Sequence, residues 1–245
     1  MQYRYFLAMC LLIIMALPCL VLAEERLFQH RYTETIYAPI PPEFHKLTQR
    51  LARWNHDAEA ELTKLEESTH PKVVSWLKAV KALDHHEGLA LITAINSLTN
   101  EAVAYVDDYQ HYHKDYWAPP YETLVEGGDC EDIALLKAVA LHIHGWDVKE
   151  RAHILIGMID FKGKPTAHAV LEVDRGDGVH HVMRSINNSV PTFDEMDKIM
   201  QPIYMMSSKN LVVFKEDGAH HAYNIFNADD LNFSTAAGAE KLGDQ

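Results

Sequence analysis

The chain has 245 residues and a formal net charge of −13, with Asp and Glu outnumbering Lys and Arg by 35 to 22. Nucleic acids and anionic membrane surfaces repel so acidic a chain, which argues against both as partners. Apolar residues make up 48% of the sequence, enough to build the core of one moderate domain or two small ones.

Residues 1–23 have the features of a secretory signal peptide. A positively charged start is followed by an apolar run, and Val21-Leu22-Ala23 matches the small residues of a cleavage site. An uncleaved membrane anchor is the alternative, but Pro18 interrupts the apolar run and leaves it short for a span. We therefore predict export of a single domain at 24–225, followed by a flexible C-terminal tail at 226–245.

Apolar residues recur at helical spacing in three successive segments. The pattern predicts helices at about 42–67, through Val73, Trp76, Leu77 and Val80, and at about 87–107. Residues 108–129 differ, because they are aromatic and polar without a helical period and contain the pair Pro119-Pro120. This composition favours an ordered loop.

A fourth helix is predicted to begin at Cys130 and to end at Gly145, since glycine commonly follows the last turn of a helix. Beyond Gly145 the apolar period changes to two, which is typical of strands. The predicted strands are Ala152–Asp160, Ala167–Val173, Val179–Ile186 and Asn210–Lys215, with turns at Lys162–Pro165 and Asp174–Gly178. The sequence therefore predicts an α+β fold in which N-terminal helices pack on an antiparallel sheet.

Cys130 is the cysteine left after signal removal, since Cys10 and Cys19 lie in the predicted signal peptide. It follows Gly127-Gly128-Asp129 at a helix start, where the helix dipole favours a nucleophilic thiolate. The carboxylates of Asp129, Glu131 and Asp132 oppose that ionisation. A calcium ion held by their oxygens would remove the conflict, although stabilisation of a helix start is the simpler explanation of these acids.

His168 is the candidate general base. It lies between Ala167 and Ala169, which leave the imidazole room, in a predicted strand after a turn. A Cys–His pair performs acyl transfer, in which the thiolate attacks a carbonyl and the imidazolium protonates the leaving amine. A lone strand histidine is more often structural than catalytic, so the assignment depends on its partners.

These motifs together resemble the bacterial transglutaminase-like cysteine proteinases, in particular the periplasmic proteases of the LapG type. The resemblance covers most of the chain after the signal peptide and is strongest from Ile95 to Trp146. The matching residues are Asn96-x-x-x-Asn100, Tyr105-x-x-Asp108, Trp117, Pro120, Glu122, Gly128-Asp129-Cys130-Glu131-Asp132, Ala134, Lys137, Leu141, Gly145 and Ala167-His168-x-Val170-Leu171.

The resemblance implies a papain-like or transglutaminase-like core with a Cys-His-Asp triad and a dependence on Ca²⁺. It makes Cys130 the nucleophile and His168 the base, and it links Asp129 and Glu131, with their neighbour Asp132, to the metal. Members of this family cut large surface adhesins in the periplasm and so release cells from biofilms. They are held inactive by the periplasmic part of an inner-membrane receptor that senses cyclic di-GMP.

The chain departs from the family at the third triad position. Where the family has Leu-Asp-Asn after the histidine strand, this chain has Ser185-Ile186-Asn187-Asn188. Asn187 is the first candidate, because an amide can orient an imidazole, but it does not stabilise the imidazolium charge as Asp does. Asn188 and Asp194 remain open as alternatives.

Three other functions remain open. The paired histidines, such as His85-His86 and His220-His221, suggest a periplasmic metal-binding protein, although none has the spacing of a structural zinc site. The altered third position suggests an inactive relative that serves as a binding or regulatory module. The same nucleophile and base would also serve a transglutaminase or an amidase.

Overall fold

The computed structural model describes residues 50, 58–113, 115–196, 198–207, 210–214 and 220–224. The predicted signal peptide, the C-terminal tail and most of the first predicted helix lie outside these residues. Within them, none of the helices combines the length and the apolar character needed to cross a membrane.

The helices are found mainly before the sheet, as predicted. Residues 58–66 are helical, in agreement with the end of the first predicted helix. The helices that follow are α1 (Pro71–Lys81), α2 (Gly88–Ala102), α3 (Asp108–His111), α4 (Pro120–Glu126), α5 (Cys130–Ile143), α6 (Val148–Arg151) and α7 (Phe193–Met196). The predicted boundaries of α5 are confirmed, since it begins at Cys130 and Gly145 follows it with a φ of +75°.

The segment between α2 and α5 differs from the prediction. α2 ends at Ala102, before the predicted end near 107, and the predicted loop at 108–129 contains α3 and α4. α3 begins where the Asp107 side chain accepts a hydrogen bond from the Gln110 amide at 3.1 Å. Pro120 is the first residue of α4, where its fixed φ suits a helix start. The proline pair therefore starts a helix rather than closing a loop.

The described strands form one antiparallel sheet of six strands in the order β3-β2-β1-β4-β5-β6. The strands are β1 (Ala152–Phe161), β2 (Lys164–Asp174), β3 (His180–Met183), β4 (Met200–Met206), β5 (Asn210–Phe214) and β6 (His220–Asn224). β1 and β5 match the prediction closely. β2 begins earlier than predicted, and β3 ends at Met183, so Ser185–Asn188 follow the strand instead of belonging to it.

The sequence pattern does not predict β4 and β6. Pro202 lies inside β4, and a proline within an apolar run argues against a strand. The structure accommodates it beside a register shift in the β1–β4 pairing, between Ile156 and Gly157. Gly157 is required there, because a Cβ atom would lie 2.4 Å from the Gln201 carbonyl oxygen.

β2 separates two buried apolar clusters. Ala169, Leu171 and Val173 belong to the cluster that contains α5, whereas Val170 packs with Phe193 of α7 in the other cluster. Alternate side chains of a strand point to opposite faces, so β2 serves both layers of the core. α5 is buried from its first residue for most of its length and packs against β2.

A fully buried carboxylate, Glu172, connects the first three strands of the chain. Its oxygens contact His153 Nδ1 at 2.6 Å and His180 Nδ1. Burial raises the pKa of Glu172, but the hydrogen bonds from His153 and His180 outweigh burial, and the pKa lies below its ordinary value. Glu172 therefore remains ionised in the folded protein and stabilises it.

We predict that Glu172→Gln lowers the free energy of unfolding by about 2 kcal/mol at pH 7, because the histidines lose a charged acceptor. A lowered native pKa stabilises the fold above the unfolded pKa, and this contribution is lost as the pH falls through the native pKa. The difference between wild type and variant should thus hold down to about pH 4.3 and shrink below it. Urea unfolding across this range measures it, with exposed Glu66→Gln as a control that changes stability little; a constant difference at all pH values would contradict this account.

Candidate active site

The nucleophile candidate Cys130 occupies the first residue of α5, with Asp129 as its N-cap. The cap is reciprocal: the Asp129 side chain accepts from the third helical amide, and Asp132 Oδ2 accepts from the Asp129 amide at 3.1 Å. Asp132 Oδ1 also accepts from the Ala118 amide at 2.7 Å. Asp132 therefore fixes both the helix start and the aromatic segment that precedes it.

A backbone clasp holds the two glycines before Cys130. The Val106 amide donates to the Gly128 carbonyl at 3.0 Å, and the Gly128 amide donates to the Ala104 carbonyl at 3.2 Å. Gly127 has a φ of +104°, and a Cβ atom there would lie 2.5 Å from Val106 Cγ2 and 2.6 Å from the Ala104 oxygen. This close approach explains why the chain needs glycine at Gly127.

The Cys130 thiol lies against the middle of β2. Its Sγ accepts a hydrogen bond from the Ala169 amide at 3.2 Å and donates to Glu131 Oε2 at 3.3 Å. His168 directly precedes Ala169, so two covalent bonds place its Cα within roughly 6 Å of Sγ. The fold therefore brings the predicted nucleophile next to the backbone of the residue that carries the predicted base. Among the described contacts, no hydrogen bond joins the imidazole to the thiol.

The imidazole of His168 is buried next to positive charge. Its Nε2 makes no hydrogen bond. The pKa of His168 is lowered to about 4, chiefly by burial and further by the positive charges of Arg184 and Lys137. Near neutral pH the ring is therefore neutral, which is the form that acts as a general base.

The candidates for the third triad position do not contact the imidazole. Asn187 is exposed, and its Oδ1 accepts from both the amide and the hydroxyl of Ser189, at 3.0 and 2.6 Å. Asn188 Oδ1 accepts from Asn100 Nδ2 at 2.9 Å. Asp194 is exposed on α7. The structure thus brings Cys130 and His168 together but leaves the third role unfilled by these three residues.

Acidic side chains crowd the start of α5 and disfavour the thiolate. Burial raises the pKa of the Cys130 thiol well above its ordinary value, and the neighbouring Glu131 raises it further. Burial also raises the pKa of Glu131 to about 10 and that of Asp132 to about 8, with Asp129 adding to both. Burial and the neighbouring carboxylates therefore outweigh the effect of the helix dipole on the thiol.

The cluster has the composition of a calcium site. The carboxylates form groups that share members, and the ligand atoms of each group lie within 4.8 Å of one another. The acidic residues of these groups are Asp108, Asp115, Asp129, Glu131 and Asp132. Asp108 Oδ1 and Asp129 Oδ1 are buried without hydrogen-bond partners. Burial raises the pKa of Asp108 to about 6. Hard oxygen ligands with unused lone pairs fit Ca²⁺, so these residues suit the metal that the sequence predicts.

Asp108 and Asp115 are the residues that sequence reasoning missed as ligands. They lie in the aromatic segment, 22 and 15 positions before Cys130 in the printed sequence. Asp108 forms part of the quoted motif, but no periodic signal shows that this segment returns to the helix start. In the described part of the chain, the groups of side chains that could hold a metal consist of carboxylates and Cys130 and include no histidine.

Comparisons with known proteins agree with this geometry. The family model described as bacterial transglutaminase-like cysteine proteinase BTLCP matches residues 66–198. Calcium-bound LapG of Legionella pneumophila superposes with a TM-score of 0.52 at 20% identity, covering 63% of this chain and 86% of that chain. EGTA-treated LapG of the same organism gives 0.51 at 18% identity, covering 71% and 88%. The comparison with curated proteins found no match.

We predict that Gly127→Ala destabilises the protein by about 3 kcal/mol, because the added Cβ is strained at positive φ and collides with a backbone oxygen. Gly145→Ala is the matched control: its φ is also positive at +75°, but a Cβ atom there meets nothing within 4 Å. We expect the control to lose only about 1 kcal/mol. Urea denaturation of both variants measures the difference, and equal losses would show that the clasp tolerates a side chain.

Proposed function

The chain belongs to the bacterial transglutaminase-like cysteine proteinase family, and we propose that it is a calcium-dependent cysteine endopeptidase. The observation that supports the proposal best is the contact of Cys130 Sγ with the amide of Ala169, the residue that follows His168. The acidic cluster beside the thiol, with its unpartnered oxygens on Asp108 and Asp129, supports the calcium dependence. LapG structures determined with calcium and after EGTA treatment are consistent with it.

The chemistry follows from two side chains. His168 accepts the thiol proton, and Cys130 Sγ attacks the peptide carbonyl to form a tetrahedral intermediate. The imidazolium then donates its proton to the leaving amine as the C–N bond breaks, which leaves a thioester on Cys130. A water molecule, deprotonated by His168, hydrolyses the thioester and regenerates the thiol.

The acidic residues around the thiol decide its ionisation. Asp108, Asp115, Asp129 and Glu131, with Asp132, would hold the metal. With Ca²⁺ bound there, the charge of these carboxylates would be neutralised, which would lower the pKa of the thiol. Asp132 also keeps its amide contacts at Ala118 and Asp129, so the helix start retains its geometry.

The biological setting is part of the same proposal. The signal-like residues 1–23 and the family resemblance support export to the periplasm. The same resemblance supports a large surface adhesin as substrate, cleaved to release cells from a biofilm. It also supports control by the periplasmic domain of an inner-membrane cyclic di-GMP receptor.

A second candidate function is that of a catalytically inactive binding module. The observation that favours it is the pair of cations, Arg184 and Lys137, beside the imidazole of His168. An active enzyme would be expected to have a carboxylate or an amide there instead, to orient the ring. Cleavage assays separate the two, because a binding module would hold the adhesin without cutting it. Transfer of the acyl group to an added amine would instead identify a transglutaminase.

We predict that the purified protein cuts the N-terminal region of a large adhesin from the same genome. Cys130→Ala and His168→Ala should each reduce cleavage by at least about 10³-fold, because each removes a group that takes part in bond making. Asn187→Ala should change the rate little, since Asn187 is exposed and bonded to Ser189. Gel analysis of cleavage over time measures this, with equal melting temperatures as the fold control. Persistent cleavage by Cys130→Ala would refute the assignment.

We predict that Ca²⁺ binds the acidic cluster and stabilises the fold, by about 2.7 kcal/mol at a calcium concentration 100 times Kd. Asp108→Asn and Asp129→Asn should each weaken binding at least about 10-fold, as removal of a charged ligand does. Glu101→Gln, an exposed carboxylate outside the cluster, is the control. Calorimetry on Cys130→Ala protein measures affinity without activity, and a chelator should abolish cleavage by wild type. Zinc binding without calcium binding would favour the histidine-based alternative.

A further inference from the structure

A buried lysine lies two helical turns after the nucleophile. Lys137 of α5 is 1% exposed, and its neighbours along the helix are apolar. Its Nζ donates to the Arg184 carbonyl oxygen at 2.9 Å. Burying an ammonium costs desolvation free energy, whereas an apolar side chain at this position would not incur that cost. The hydrogen bond of Lys137 to the Arg184 carbonyl explains why a lysine is found here.

Asn100 of α2 reaches the same segment from the other side. Its Nδ2 donates to the Arg184 carbonyl at 2.8 Å, and also lies 3.1 Å from the Asn187 carbonyl and 2.9 Å from Asn188 Oδ1. The carbonyl oxygen of Arg184 therefore accepts from two helices at once. We call these contacts of Lys137 and Asn100 the 184 clamp.

The clamped residues lie beside the catalytic strand. β3 pairs with β2 as far as Met183, which faces Leu171, so the chain leaves the sheet at Arg184, three residues along β2 from His168. Residues 184–188 have left the ladder, so the sheet hydrogen bonds do not position them. The two side chains of the clamp replace those missing bonds.

We propose that Lys137 is a positioning residue, which with Asn100 fixes the segment that starts at Arg184 and so holds the nearby imidazole of His168 in place for the Cys130 thiol. The proposal rests on the proposed function. In a chain whose asparagine candidates do not contact the imidazole, the clamp takes over the orienting task that a third triad residue performs elsewhere. The positive charges of Arg184 and Lys137 add to burial in lowering the pKa of His168, which is consistent with both groups lying near the ring.

The first test measures the clamp without requiring activity. The amides at 185–189 should exchange hydrogen at least about 10-fold faster in Lys137→Met and in Asn100→Ala. Lys137→Met loses the hydrogen bond from the lysine, and Asn100→Ala loses the hydrogen bonds from the side-chain amide. Lys137→Gln retains a donor and should stay within about 3-fold of wild type. Arg151→Met is the matched control, because Arg151 Nε bonds the Asp174 carbonyl at 3.0 Å at the other end of β2.

The second test separates positioning from mere support of the fold. NMR titration of His168 in the Cys130→Ala background should give a higher pKa in both Lys137→Met and Lys137→Gln, since both lose the nearby charge. In the catalytic form, kcat per active thiol should fall at least about 10-fold in Lys137→Met only, with KM unchanged. A residue that merely supports the fold would lower the melting temperature while leaving kcat per active thiol in place in both variants.

Two results would overturn the proposal: unchanged exchange at 185–189 in both Lys137→Met and Asn100→Ala, or wild-type kcat per active thiol in Lys137→Met. A wild-type protein that cleaves nothing would instead refute the proposed function. In that case the exchange and NMR measurements would still show whether the clamp holds His168.

Discussion

Negative charge confined in a small volume is the constraint on which this site depends. Asp129, Glu131 and Asp132 surround the Cys130 thiol at the start of α5, and Asp108 approaches from the preceding segment. In a buried environment such neighbours raise each other's pKa and that of the thiol, so ionisation of any one of them opposes the rest. A divalent cation bound there would relieve all of these interactions at once, and metal binding would then be linked to local structure and to thiol reactivity.

The sequence predicted the parts of the fold whose signals are local. The start of α5 at Cys130 was predictable because a glycine turn, a capping aspartate and a long apolar helix occur together. β1 and β2 followed from period-two alternation. β4 was not predictable, because Pro202 reads as a strand breaker unless one knows that it lies at a register shift with β1. α4 was missed because a proline pair is equally suited to ending a loop and to starting a helix.

The candidate site shows the same division between local and distant information. Motif spacing predicted Cys130 and His168 as nucleophile and base, and Cys130 Sγ contacts the amide of Ala169, next to His168, where α5 meets β2. The third position could not be assigned from the sequence. Asn187 lies just beyond β3, and the residues of a short strand do not show where the strand ends. The role of Asp115 was also hidden, because it depends on how the aromatic segment folds back over the helix.

The contact between Sγ and the Ala169 amide joins residues 39 positions apart. A growing chain emerges from the ribosome with its N-terminal part first, so the nucleophile is made well before the strand that completes its surroundings. Until β1 and β2 have paired, Cys130 is an ordinary thiol on a helix that has no sheet to pack against. Cys130 therefore acquires its buried, hydrogen-bonded surroundings only when segments distant in the sequence have come together in the finished fold.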